Sequence, residues 1–163
     1  METKNQMQIV KDVPNKKVVI TRIFDAAPAE VWRAWTESEL LDQWWAPKPW
    51  KAETKKMNFQ EGGYWLYAMV GPDNQRIWAK VEFNNINPTT SYEAIDSFCD
   101  ENGTPNDEMP KMSWKNLFES KEGGTKLTVE ISFKKEADIK QIMDMGFEQG
   151  FSSALDNLDE LLK

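Results

Sequence analysis

The last part of the chain carries one broad apolar stripe. Ile139, Met143, Phe147, Phe151, Ala154, Leu158 and Leu161 recur at i+3/i+4 spacing, while Glu148, Ser152, Asp156, Asp159 and Glu160 fall away from its centre. That period predicts a long amphipathic helix over about residues 138–162. Such a helix must bury its stripe against another layer. Just ahead of it, Leu127, Val129, Ile131 and Phe133 alternate with Thr128, Glu130 and Ser132. This is the pattern of a strand with one wet face. The natural partner of the stripe is therefore a sheet.

The rest of the chain supplies one. The β-branched run at residues 17–24 reads as a strand. The period then changes. Pro28 suits a first helical turn, and Val31, Trp32 and Trp35 follow helical spacing. Thr36-Glu37-Ser38-Glu39 fits a capping box that opens a second short helix over 38–45, ended by Pro47 and Pro49. Six strand-like runs follow, at 50–59, 64–70, 76–86, 91–98, 112–119 and 125–133, with Gly, Pro and Asn turns between them. Residues 100–110 are polar and acidic, and read as a long exposed loop. Residues 1–16 read as a loose arm before a single domain at 17–163. The order predicts an α+β helix-grip fold: a curved antiparallel sheet wrapped around a long C-terminal helix, with two short helices after the first strand.

Composition removes much chemistry. The 163 residues, one domain's worth, include no histidine and a single cysteine, Cys99. Histidine-based triads, Cys-His dyads, His-zinc sites and intrachain disulfides are excluded. The expectation is no catalytic motif, no metal and no cofactor. A net charge of −7 with three arginines, Arg22, Arg33 and Arg76, gives no basic patch for nucleic acid. No segment reaches the length of about 18 apolar residues that marks a membrane span, and no leader is evident at the N-terminus, so a cytoplasmic address is expected.

Three segments resemble one family: ITRIFDAAPAEVWRAWTESELLDQWWAP at 20–47, GGYWLYAMVGPDN at 62–74 and MGFEQGFSSALDNLDELL at 145–162. They are similar, in order and spacing, to the bacterial homologues of the activator of heat-shock-protein-90 ATPase. That family belongs to the START-like (SRPBCC) superfamily, with the birch-pollen allergen and the polyketide cyclases. The resemblance implies the helix-grip fold and a cavity between sheet and helix. It brings no catalytic motif.

The resemblance also implies that Trp65, Tyr67 and Met69 point inward. Alternation places Val81 and Phe83 inward on the next strand, and Trp114, Asn116 and Phe118 on a later one. Met143, Phe147 and Phe151 face them from the helix. These eleven residues are the expected cavity lining. Trp44, Trp45 and Trp50 would form its rim, or else plug the barrel end. A well-filled aromatic core is the competing interpretation. Gly146 and Gly150 lie one turn apart, which points either to tight packing or a kink, or to room for a ligand. Asp96 shares a face with Tyr92 and Ala94, although the run equally allows Ile95 inside.

Three functions compete. An apolar, aromatic and methionine-rich interior suits binding of a small apolar or aromatic molecule. The family resemblance suggests a stress-related protein that associates with a heat-shock chaperone. A cyclase-like enzyme would need an acid or base among Asp96, Glu93, Tyr67 and Tyr92, and is the least supported.

Overall fold

Alternation along the strands becomes one sheet. The computed structural model describes residues 6–163. Its elements are β1 (Gln8–Asp12), β2 (Lys17–Phe24), α1 (Pro28–Thr36), α2 (Ser38–Trp44), β3 (Lys51–Met57), β4 (Tyr64–Val70), β5 (Arg76–Asn87), β6 (Ser91–Cys99), β7 (Met112–Lys121), β8 (Gly124–Ser132), α3 (Glu136–Asp144) and α4 (Phe147–Leu161). Among the described residues the eight strands form one antiparallel sheet in the order β1-β2-β8-β7-β6-β5-β4-β3. β3 to β8 run as a meander. The α1–α2 segment carries the chain from β2 to the far edge, where β3 lies. The inner face of the sheet and the helices share one core that includes Val18, Ile20, Leu127, Val129, Ile131, Leu155 and Leu158. This is the helix-grip arrangement.

Four local features differ from the sequence reading. The expected loose arm contains β1, whose Ile9 and Val10 pair with Ile20 and Val19 of β2. Branched apolar residues favour such pairing over a free end. Residues 1–5 of that arm lie outside the described residues.

The expected capping box does not form. Thr36 is the last residue of α1, and its hydroxyl donates back to the Trp32 carbonyl at 2.8 Å. Glu37 caps α2 without a side-chain bond, and its carboxylate pairs with Arg33 instead.

The acidic loop is not simply solvated. The Asp100 carboxylate accepts the Asn102 and Thr104 backbone N–H groups, which hold it below the usual carboxylate range. Lys55 donates to the Glu101 carbonyl at 2.8 Å. A side chain added at Gly103 would lie 3.8 Å from Leu66. The loop thus folds back over the outer face of β4, and Leu66 and Ala68 there are buried.

The terminal helix is two helices. Gly146 sits at φ 88, a left-handed conformation that ends α3 and starts α4. The break resets the stripe. On α3 the buried residues are Ile139 and Ile142, and Met143 is only half-buried. On α4 they are Phe151, Ala154, Leu155 and Leu158.

A half-buried ion pair, with Arg22 buried and Asp156 exposed, fastens α4. Arg22 points into the core from β2 and donates to Asp156 at 2.7 Å, with Asp159 at 4.0 Å. Asn157 adds a bond to the Ala46 carbonyl beyond α2.

Candidate functional site

Strand register builds the site. Met69 pairs with Ile77, Tyr67 with Ala79, and Ala79 with Phe98. Val81 pairs with Asp96, Asp96 with Met112, and Ala94 with Trp114. Opposite these rows lie α3, the Gly146 break and the first turns of α4.

Two connected hollows lie between sheet and helices. The outer cavity has a volume of about 240 Å³. Its walls include Tyr67, Met69, Phe98, Met112, Phe147 and Phe151. Ile77 and Met145, both exposed, mark its mouth. The inner chamber is about 20 Å³ and is lined by Trp35, Trp65, Val81, Phe83, Tyr92 and Asn116, among others. Trp45, Asp96 and Trp114 line both. Two larger grooves on the surface are bounded mainly by charged and polar side chains, such as Asp107, Lys134 and Asp138, or Glu148 and Ser152.

The glycines leave space. A Cβ on Gly146 would meet nothing within 4 Å. One on Gly150 would meet only the Pro47 ring, at 3.7 Å. Both residues line the outer cavity. Close strand approach is therefore not the reason for either glycine. Gly146 makes the break, and Gly150 borders open volume.

The eleven expected lining residues divide. Tyr67, Met69, Phe147 and Phe151 line the outer cavity, Trp65, Val81, Phe83 and Asn116 the inner chamber, and Trp114 both. Phe118 and Met143 line neither. Phe118 packs edge-on against Trp32 at 5.2 Å within a filled aromatic cluster. Met143 loses its place because the break at Gly146 turns Ile142 inward instead.

The indole rim is also corrected. Trp44 is 1% exposed, and its N–H donates to the Ala34 carbonyl at 2.9 Å. It sits in the core, 5.0 Å from Trp35. Trp50 borders neither hollow; it packs towards Gly71. Trp45 is a wall residue, buried, with its N–H donated to the Tyr67 hydroxyl at 2.8 Å. Trp65 likewise donates to Thr54, which donates to Asp42 at 2.6 Å. The polar handles that would make a wet rim are spent inside the protein.

Asp96 settles the open choice on β6. It is buried while Ile95 is exposed. Tyr92, Ala94, Asp96 and Phe98 share the inner face, so strict alternation along the whole strand would have found Asp96 and Phe98. Burial raises the Asp96 carboxyl to about 7. The Tyr67 and Tyr92 hydroxyls are pushed well above their ordinary range by the same desolvation. Glu93 points elsewhere and accepts from Asn85. Among the described residues four buried side-chain polar atoms have no hydrogen-bond partner: Trp35 Nε1, Trp114 Nε1, Asn116 Oδ1 and Arg22 Nε. The first three belong to residues of the inner chamber. Among the described residues no three carboxylate or thiol groups converge as a metal site requires. No helix there is long and apolar enough to cross a membrane.

A family model described as "Activator of Hsp90 ATPase homolog 1-like protein" matches residues 25–163. A crystal structure of a Mycobacterium smegmatis protein is 27% identical, with a TM-score of 0.89 and 96% of each chain covered. A solution structure of an Arthrobacter aurescens protein is 31% identical, with a TM-score of 0.89, covering 95% of this chain and 90% of that one. A Staphylococcus epidermidis protein is 30% identical, with a TM-score of 0.83, covering 95% and 93%. No curated protein matches the chain.

Proposed function

Because this chain belongs to the Activator of Hsp90 ATPase homolog 1-like family, we propose that it uses the hollow of that fold to bind a small apolar or aromatic molecule. The observation that carries this reading is the outer cavity of about 240 Å³, walled by Met69, Phe98, Met112, Phe147 and Phe151 and open between Ile77 and Met145. An apolar cavity of about 150 Å³ accommodates benzene, so this one suits a substituted or bicyclic ring. The methionines can adapt to the shape of the occupant. Native mass spectrometry of freshly purified protein, joined to a thermal-shift screen of lipids and aromatic compounds, is the test. A mass adduct or a stabilising aromatic compound is expected; their joint absence discards the reading.

Asp96 and Tyr67 on one cavity wall favour a second reading, proton transfer on a bound substrate. A carboxyl titrating near neutrality is suited to general acid or base work. Cavity-sized aryl ketones in deuterium oxide should then take up deuterium at the α-carbon, and Asp96→Asn should stop it. Uptake no faster than in buffer alone removes this reading.

The alternative reading, association with a heat-shock chaperone, rests on the family description and the acidic charge alone, and Trp44 and Trp45 are buried, so they offer it no exposed indoles.

A further inference from the structure

Among the described residues Asp96 is the one carboxylate that borders both hollows. It is nine-tenths buried. Its cross-strand neighbours, Val81 and Met112, have no group that could donate to it. Among the described residues no hydrogen bond or ion pair reaches its oxygens, burial raises its carboxyl, and the ionisable groups near it, Tyr67 and Cys99, are themselves raised and stay uncharged. A buried carboxylate without a partner is unfavourable, and a bound donor relieves that. The surroundings favour a cation. Trp45, Tyr67 and Trp114 line the same outer cavity, and aromatic rings attract ammonium groups. Asn116 Oδ1, a second free acceptor, lies on the inner chamber that Asp96 also borders. Among the described residues no lysine or arginine lines either hollow to compete for the carboxylate. The net charge of −7 draws cations toward the protein.

We infer that the occupant is an amine: an apolar or aromatic body in the outer cavity, with one cationic ammonium end seated on Asp96. This rests on the small-molecule reading above and adds the chemical class. The free indole N–H groups of Trp35 and Trp114 are donors, which an ammonium cannot use. They make an alcohol the competing occupant, and the test must separate the two.

Two matched series serve as probes: tryptamine, tryptophol and 3-ethylindole, and 2-phenylethylamine, 2-phenylethanol and ethylbenzene. Each is titrated calorimetrically into the full chain at pH 8. Hydrogen bonds to charged groups imply that the amine binds wild type about tenfold or more tightly than its alcohol and hydrocarbon counterparts. In Asp96→Asn that preference disappears. An alcohol or hydrocarbon that binds wild type as well as the amine overturns the amine assignment while the cavity reading stands. An amine preference that survives Asp96→Asn overturns it as well. If no member of either series binds wild type, both fall together. The wild-type comparison decides the matter without relying on the variant.

Discussion

Two aromatic groups of similar make-up meet opposite fates in this protein. In one, Trp32 of α1 lies edge-on to Phe59, Tyr92 and Phe118 at 5.7, 5.7 and 5.2 Å, and Phe59 meets Phe83 at 4.7 Å. In the other, Trp45, Trp114, Phe147 and Phe151 also touch, at 5.4 to 6.3 Å, yet they wall an open volume. The difference lies in what faces the rings. A helix delivers an indole into the first group, and the second faces Gly146, Gly150 and a helix break. Aromatic content alone does not separate a core from a pocket; the side chain missing opposite it does.

The largest expected effect tests the filled group. Phe118→Ala should lower stability by about 3–5 kcal/mol, as truncation of a packed core ring does. Phe147→Ala, at the hollow wall, should lose only about 1–2 kcal/mol, because its ring is only half-buried and has fewer packing contacts to lose. Urea unfolding of both decides, and equal losses would break the comparison.

Next is the charge in the hollow. The raised Asp96 carboxyl means that the unfolded chain releases this proton first. The folded state is therefore progressively disfavoured as pH rises from about 4 to about 7. The ionisable groups facing it are Tyr67 from β4 and Cys99 on its own strand; both are raised, the thiol to about 11, so neither titrates in that window. Asp96→Asn should exceed wild type by roughly 4 kcal/mol at pH 8 and by nothing at pH 3, measured as paired unfolding curves. A gap that does not depend on pH would show that the carboxylate is solvated.

Asp156→Ala removes the partner of buried Arg22 at the packed half of α4. It should cost about 2 kcal/mol by thermal unfolding, since Asp159 at 4.0 Å only partly replaces it. The smallest effect is a gain. Gly150→Ala should stabilise α4 by about 0.5–1 kcal/mol, because alanine favours helix and its Cβ makes only an ordinary contact with Pro47 at 3.7 Å. A loss of stability there would mean that the wall is tighter than its geometry.

Much of this was legible beforehand. β4 was read to the residue, and the inward faces of β5 and β7 follow from alternation, which depends only on the pleat. The stripe suggests one long helix because its period runs through Gly146 without a visible phase error. A left-handed residue there is permitted but not required by glycine, and Ile142 replaced Met143 as a consequence. The indole rim failed for a related reason. Trp44 and Trp45 are adjacent on the chain, and only their acceptors, the Ala34 carbonyl and the Tyr67 hydroxyl, decide how deep each goes.

The order of elements, the sheet's inner face and the family were written in local pattern, because side-chain period and turn residues act over a few positions. Whether the interior closed or stayed hollow was decided only on folding. That outcome depends on which atoms from β4 to β7 meet which atoms of α3 and α4, and such distances arise between segments far apart in the chain.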